Sequence, residues 1–305
     1  MRPAIVLACA LAALAPAAIA AQTGRPLPKS SRLPVSTSAM ALGGAYMMDA
    51  GHADAVFYHP ALLTGASGFG LDLQRWGPQS SASAVSGAVQ WLGGGVGVGL
   101  QTLQYGAFSS GAAASPPGQD HLFAFGSSPV SERIATVGYA RSMPMDIDVG
   151  VGVNFIDERV GFSRQSVILV DVGVAREIGP VVAGFTVRDI GQKPILDHSD
   201  RPTHVEIGVG GYGQQLGILD IGYSATVGLG DEVTYGAGVE LGYWPIQGRT
   251  FVARVGFADT PKGSEASPLT TGFAYWGDDI TVEWAFRPFK DASEGGSHRI
   301  GVRWR

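Results

Sequence analysis

The sequence has little cysteine, little charge and no apolar run long enough for a spanning helix. Its single cysteine, Cys9, excludes a disulfide framework and dithiol chemistry. Charged residues make up 15% of the chain, against ~25% in typical soluble proteins. The net charge of -5 argues against a nucleic-acid partner, because phosphate binding needs a basic face.

Motifs for catalysis and for metal binding are also missing. The chain contains no G-x-S-x-G, H-E-x-x-H, C-x-x-C or Walker loop. The glycine string at 93–99 lacks the G-x-G-x-x-G spacing before a helix that dinucleotide binding requires. His52 with Asp49 and Asp54 does not complete a ligand set. We therefore expect no enzyme activity, no cofactor and no metal site.

The first twenty residues have the pattern of a secretory signal peptide. Arg2 supplies the positive charge, residues 5–15 the apolar region, and small residues up to Ala20 the cleavage site. The apolar region is shorter than the ~20 residues that a spanning helix needs. We expect cleavage after about Ala20, which removes Cys9 and leaves a mature chain without thiols.

From Gly68 onward the chain alternates between apolar residues and small or polar ones, as strands do. In residues 146–155, one face carries Val149, Val151 and Val153, and the other carries glycine, Asp148 and Asn154. The same alternation recurs in five later segments, 165–176, 204–210, 233–241, 281–287 and 299–305. With 45 glycines in 305 residues, the polar face is dominated by small side chains.

This alternation is compatible with a soluble β-sandwich or with a membrane barrel, which turns its apolar face to lipid. The sparse charge on the small-residue face and the aromatics near strand ends favour the barrel. Long and short connections alternate and predict an even count of 14 strands with both ends periplasmic. Residues 121–125 are compatible with a fifteenth strand, but we assign them to a long loop at 107–132. A soluble secreted β-protein stays an alternative.

Residues 39–63, AMALGGAYMMDAGHADAVFYHPALL, precede the strands. This stretch resembles the N-terminal segment of FadL-like outer-membrane barrels, especially their PorV/PorQ branch. TVRDIGQKP at 186–194 and the closing hairpin AFRPFKDASEGGSHRIGVRWR at 285–305 resemble the same branch. His59 stands where that family usually has Asn. The resemblance marks a motif of six residues, Gly43, Gly44, Asp49, Asp54, His59 and Pro60.

The resemblance implies an all-β, 14-stranded antiparallel transmembrane barrel in the outer membrane. Residues 1–20 would be the signal peptide, 21–67 a lead-in and plug segment, and 68–305 the barrel. The expected partners are outer-membrane lipid and hydrophobic small molecules that pass through the barrel. An alternative is a protein-binding role beside a type IX-like secretion system.

The alternation also places a set of charged residues on the lumen side of the strands. Paired across strands, they would neutralise each other and hold the plug, because buried charges are tolerated when paired. A role in gating a substrate is the competing interpretation. The set comprises Asp72, Asp148, Asp171, Arg188, Glu206, Asp220, Glu240, Arg254, Glu283, Arg287, Arg299 and Arg303.

Overall fold

The computed structural model of the chain is described over eleven ranges. The predicted signal peptide, Asp49 and residues 121–125 lie outside the described residues. The described ranges are 33–47, 51–76, 80–109, 127–160, 163–191, 203–212, 215–230, 233–246, 248–260, 266–290 and 295–304.

Fourteen antiparallel strands form one closed barrel, in which every strand pairs with its neighbours in sequence. The barrel closes where β1 pairs with β14, with Phe69 opposite Trp304. This confirms the predicted strand count. The strands are β1 Gly68–Trp76, β2 Ser80–Trp91, β3 Gly94–Ser109, β4 Ser127–Met143, β5 Ile147–Val160, β6 Ser163–Ile178, β7 Val181–Ile190, β8 His204–Tyr212, β9 Leu219–Leu229, β10 Val233–Ile246, β11 Arg249–Ala258, β12 Leu269–Trp276, β13 Ile280–Pro288 and β14 Gly296–Trp304.

The outer surface of the barrel is apolar. In β6, Val172 and Val174 point outward and are 41% and 40% exposed, whereas Asp171 and Ala175 point inward and are buried. Many large apolar side chains on other strands are exposed in the same way. So much exposed apolar surface is unfavourable in water. It is the normal outer surface of a barrel that faces lipid.

The connections are short at one end of the barrel and mostly longer at the other. We call these the turn end, which also holds the start of β1 and the end of β14, and the loop end. Two long connections expected from the sequence pattern are too long. The loop at 107–132 is shorter, because β3 runs to Ser109 and β4 begins at Ser127. Residues 158–164, for which the pattern also predicts a loop, are mostly strand, because β5 runs to Val160 and β6 begins at Ser163. The alternation is hard to read there because the outward side chains change from apolar to polar.

The described part of the segment before β1 contains three short helices. Helix α1 spans Thr37–Ala41, and two 3₁₀ helices span Ala53–Phe57 and Pro60–Thr64. The Ser36 side chain accepts a hydrogen bond from the Ala39 N–H and so caps α1. No helix in the described part of the chain is long and apolar enough to cross a membrane.

The glycine pair of the predicted motif ends α1. Gly43 has a φ of 72°, a conformation that favours glycine. The Gly44 N–H donates to the Ala39 carbonyl at 2.7 Å, and the Gly43 N–H donates to the Met40 carbonyl at 3.3 Å. These two bonds form a Schellman motif. Gly43 also lies against β11, where a Cβ on Gly43 would be 2.3 Å from the Phe257 carbonyl oxygen.

We call residues 33–66 the N-terminal segment; its described parts, 33–47 and 51–66, lie inside the barrel near its turn end. Its side chains form a buried apolar cluster with small residues of the wall. Glycines on the inner face let its backbone approach closely, and a Cβ at Gly256 would be 2.2 Å from the Gly43 nitrogen. The segment therefore rests on a wall whose glycines provide the space for it.

Candidate functional site

Two groups of charged and polar residues, buried or partly buried, line the barrel interior around the N-terminal segment. The first, which we call the Arg303 cluster, joins the segment to strands β1, β10, β11, β13 and β14. Its members are Asp54, Asp72, Glu240, Arg254, Glu283 and Arg303, each at most 4% exposed.

Arg303 binds three carboxylates from three parts of the chain. Its Nε lies 2.7 Å from Asp54 Oδ2, and its Nη1 lies 3.0 Å from Asp72 Oδ2. Its Nη2 lies 3.4 Å from Glu283 Oε2. Because Asp54 belongs to the N-terminal segment and Arg303 to β14, this ion pair fastens the segment to the wall.

Arg254 extends the cluster along the wall. Its Nε lies 2.5 Å from Glu240 Oε2, and its Nη1 lies 2.8 Å from Glu283 Oε1. Glu283 is thus shared between two arginines. The ion pair between Arg254 of β11 and Glu283 of β13 crosses the inner face of β12. The β12 residue opposite Arg254 is Gly272, which has no side chain and so leaves room for this contact.

The Arg303 cluster contains more carboxylates than guanidinium groups. Burial raises the pKa of Asp54 to about 6; Arg303 opposes this shift, and the neighbouring Asp72 adds to it. Asp54 also accepts a hydrogen bond from Ser86 Oγ at 2.5 Å. The link between segment and wall therefore loses its Asp54 charge in mildly acidic solution.

A second link holds the start of α1. The backbone N–H of Thr37 donates to Asp72 Oδ1 at 2.7 Å, and its hydroxyl donates to the same oxygen at 2.5 Å. Asp72 thus holds both Arg303 and the N-terminus of α1. A residue at this position that does not accept hydrogen bonds would release both contacts.

We call the second group the Arg188 cluster. It lies across strands β5 to β8, and its members are Tyr46, Asn154, Asp171, Arg188, Asp189, His204 and Glu206. Arg188 Nη1 lies 3.3 Å from Glu206 Oε2, and Arg188 Nη2 donates to the Phe57 carbonyl at 3.0 Å. The Tyr46 hydroxyl donates to Glu206 Oε2 at 3.1 Å. Tyr46 and Phe57 belong to the N-terminal segment, so this cluster also binds the segment to the wall.

A register shift between β6 and β7 shapes the Arg188 cluster. Asp189 has a φ of 57°, and its N–H donates to Asp171 Oδ1 at 2.9 Å. Asn154 Nδ2 donates to Asp171 Oδ2 at 2.8 Å, and His204 Nδ1 lies 3.4 Å from Asp189 Oδ2. Sequence reasoning missed Asp189, because a bulge breaks the alternation by which lumen-facing residues were chosen. Tyr46 lies before the strands, and His204 shares the face of Glu206 but was not counted as charged, so neither was in the predicted set.

His59 has no polar role within the described residues. It is 0% exposed, and neither ring nitrogen has a hydrogen-bond partner. Its ring packs against Gly173 and Gly184, and a Cβ added at either glycine would lie 2.8 Å from a ring atom of His59. Burial lowers its pKa to about 4, so the ring is neutral at physiological pH. The extended backbone of His59, with φ -147° and ψ 102°, agrees with its position before Pro60.

Four of the predicted lumen-facing charges lie outside both clusters. Arg299 is buried and donates to the Pro34 carbonyl. Arg287 donates to the carbonyls of Ser267 and Asp259 at 2.7 and 3.0 Å. The remaining two, Asp148 and Asp220, are partly exposed. The described residues contain no group of three or more side chains that could hold a metal ion.

No protein-family model matches the chain, and no curated protein matches it. Solved structures do. A FadL homologue from Pseudomonas aeruginosa matches 88% of this chain and 98% of its own, with 10% identity and a TM-score of 0.55. The Ralstonia pickettii toluene transporter TbuX matches 89% and 98%, with 12% identity and a TM-score of 0.54.

The Pseudomonas putida toluene transporter TodX matches 87% of this chain and 95% of its own, with 11% identity and a TM-score of 0.55. At these identities the likeness concerns the fold. The chain therefore has the closed, 14-stranded antiparallel barrel fold of the FadL-type hydrocarbon transporters of the bacterial outer membrane.

Proposed function

We propose that this protein is an outer-membrane channel that admits hydrophobic small molecules. The observation that carries the proposal is the apolar N-terminal segment packed inside a barrel of the FadL type. A channel for polar solutes has a water-filled lumen, whereas the interior near the turn end of this barrel is filled with apolar side chains. The structural neighbours TbuX and TodX are toluene transporters.

In this proposal the N-terminal segment is the plug. Residues 1–20 are removed on export, residues 21–67 hold the lead-in and the plug, and residues 68–305 form the barrel. A substrate that reaches the segment meets apolar and aromatic side chains such as Met47 and Phe57, and the stacked pair Tyr46 and Tyr58, whose ring centres are 4.8 Å apart. Passage requires the segment to move within the barrel.

In this proposal the two charged clusters bind the plug to the barrel wall. The Arg303 cluster holds it through Asp54 and through Thr37 on Asp72. The Arg188 cluster holds it through Tyr46 and the Phe57 carbonyl. Removing one partner of a buried ion pair is strongly destabilising, because it leaves an uncompensated buried charge. Each cluster therefore stabilises the plug inside the barrel, and moving the plug away from only one cluster costs free energy.

Uptake of a radiolabelled monoaromatic hydrocarbon tests the channel. Cells without their own hydrocarbon channel, expressing this chain, should accumulate the label faster than cells with an empty vector. Heat modifiability on a gel shows that the barrel is folded in both wild type and variants. A folded barrel that gives no uptake above the vector would contradict the proposal.

Conductance in planar bilayers tests the plug separately. Deletion of residues 23–66 should convert a closed barrel into one with steady ion conductance. The single variant Gly152→Ala, which leaves the segment in place, serves as the control. If the deleted barrel conducts no better than the intact one, the segment does not close the lumen.

A role as a protein-binding barrel beside a type IX-like secretion system is the second candidate. The closing hairpin at 285–305 and the segment at 186–194 favour it, through their resemblance to the PorV/PorQ branch. Gentle purification from native outer membranes, followed by mass spectrometry, separates the two candidates. A stoichiometric secretion pore or cargo protein favours this second role, and a bound apolar molecule without such a partner favours the channel.

A further inference from the structure

The outer face of the barrel carries a continuous row of polar side chains near the loop end. Cross-strand pairing joins one residue from each of seven adjacent strands, β14 and β1 to β6. We call this the basic row. Its members are His298, Arg75, Ser81, Gln104, Ser131, Arg159 and Arg164, each paired with the next in register.

The rows towards the turn end change steadily from polar to apolar. The next outward row is mixed and comprises Ile300, Leu73, Ser83, Thr102, Arg133, Asp157 and Ser166. The row after it is wholly apolar and comprises Val302, Leu71, Val85, Leu100, Ala135, Phe155 and Ile168. On these seven strands the apolar band that faces lipid therefore ends at the mixed row, and the basic row lies just outside it.

The basic row exists on one side of the barrel. On β7 to β13 the outward side chains near the loop end are mostly apolar, with Thr271 opposite Phe286 as a polar exception. The apolar ones include Val187, Val205, Leu229, Val233, Phe257, Leu269 and Phe286. Strand length accounts for part of the difference: β3 to β6 have 14 to 17 residues each, against 8 in β12, and extend the wall beyond the lipid band. Strands β14 and β1 have 9 residues each, so there the difference lies in the polar residues themselves, His298 and Arg75.

The charge of this wall is positive although the chain is acidic. The basic and mixed rows contain four arginines, Arg75, Arg133, Arg159 and Arg164, and one acidic residue, Asp157. Arg164 Nε lies 2.8 Å from Asp157 Oδ1. The formal charge of the whole protein is -5. A local excess of arginine on an acidic protein marks a surface that attracts anions.

A groove crosses the basic row at β14, β1, β2 and β3. It has a volume of about 400 Å³. Members of the basic row line it on the side of the loop end, and the mixed-row residues Ile300, Leu73, Ser83 and Thr102 line it on the side of the turn end. The hollow arises because Ser81 and Ser83 are small and lie between the longer Arg75 and Gln104. The groove therefore offers cationic and hydrogen-bonding groups on its loop-end side, and two apolar side chains beside two hydroxyl groups on the side towards the membrane.

We propose that the basic row binds the phosphorylated headgroup of a lipid in the outer leaflet. The proposal rests on the outer-membrane location assumed in the proposed function, with the loop end outward. Arginine binds phosphate through paired N–H groups, and Leu73 and Ile300, on the turn-end side of the groove, suit the acyl chains next to a headgroup. A lipid with a phosphorylated headgroup fits three features of the basic row. Its charge is opposite to that of the arginines, its headgroup lies at the edge of the apolar band, and it is amphipathic like the groove.

The test is binding of bis-phosphorylated lipid A to the detergent-solubilised barrel, measured by native mass spectrometry. The variant Arg75→Gln/Arg133→Gln/Arg159→Gln removes three cations from the rows. A matched control, Arg141→Gln/Arg176→Gln/Arg249→Gln, removes three exposed arginines at the turn end. Dephosphorylated lipid A is the ligand control.

The first variant should bind lipid A at least about tenfold more weakly, since it removes three guanidinium groups that attract the anionic headgroup. The turn-end control should change by less than about twofold. Equal binding of phosphorylated and dephosphorylated lipid A, or equal loss in both variants, would overturn the proposal. Hydrocarbon uptake should survive in both variants, so a failed channel and a failed lipid site give different results.

Discussion

Two glycines on the inner face of β5 allow the packing of the N-terminal segment to be tested. A Cβ at Gly150 would lie 2.4 Å from the Ala61 nitrogen and 2.4 Å from the Pro60 carbonyl carbon. A Cβ at Gly152, two residues further along the same face, would have its nearest neighbour at 3.6 Å, on Asp171. Gly150→Ala should therefore disturb the segment, and Gly152→Ala should fit.

The magnitude follows from the contact distances. Non-bonded carbon atoms prefer ~3.5–4.0 Å, so an added methyl at Gly150 pushes the wall and the segment apart by about 1 Å. The atoms that it meets are backbone, and the ring of Pro60 fixes the local φ, so no side-chain rotation relieves the contact. Overpacking of this kind costs about 1–3 kcal/mol.

The paired design removes the effect of alanine on the unfolded chain. Replacing glycine by alanine stabilises by about 0.4–1 kcal/mol through the unfolded state where the native backbone permits it. That gain is common to both variants, so the difference between their free energies of unfolding isolates the contact with the segment. We expect Gly152→Ala to equal or exceed wild type and Gly150→Ala to fall below it.

The assay is guanidinium unfolding of the folded barrel in detergent, followed by tryptophan fluorescence. A cysteine in place of Ala55, which is 0% exposed, adds a local readout by maleimide labelling, with Cys9 replaced by serine. Labelling should be slow in wild type and Gly152→Ala and faster in Gly150→Ala. Stabilities equal within about 0.5 kcal/mol, with equal labelling, would refute the placement of the segment against β5.

Three further predictions concern the charged and titratable groups. Arg303→Met leaves several buried carboxylates without their cation and should cost about 3–5 kcal/mol, whereas Arg164→Met at an exposed pair should cause no measurable change in guanidinium unfolding; equal losses would contradict the cluster. The folded pKa of Asp54 is raised to about 6, so its contribution to stability is present below the unfolded value near 4 and is lost as pH rises through 6. Wild type should therefore lose up to about 3 kcal/mol relative to Asp54→Asn between pH 4 and pH 7, and a pH-independent difference would show that Asp54 is not perturbed. His59, with its pKa lowered to about 4, should show a neutral ring in nitrogen NMR at pH 5.5, where a titration near 6.5 would place it in water.

The strand count and the faces of the strands follow from the sequence. Alternation has a period of two residues and is local, so the outward valines of β6 and the inward Asp171 can be recognised in the sequence without a partner strand. The glycine pair Gly43-Gly44 and the His59-Pro60 step likewise predict local backbone behaviour, because positive φ and the restriction before proline depend on the residues themselves.

Partnership between charges was decided by the tertiary structure. Asp54 and Arg303 lie near opposite ends of the sequence, and barrel closure together with the packing of the segment brings them within 2.7 Å. The bulge at Asp189 and the polar outward side chains beyond Phe155 interrupt the alternation, so the Arg188 cluster and the true end of β5 could not be predicted.

The basic row shows the same division between sequence and structure. Each of its arginines is visible in the sequence as a polar residue near a strand end, but their alignment depends on strand pairing. Register sets which residues of different strands are neighbours, and it is determined by contacts along the whole sheet and by closure of the barrel. The sequence by itself therefore determined which face most strand residues take, and the tertiary structure decided which of these residues act together.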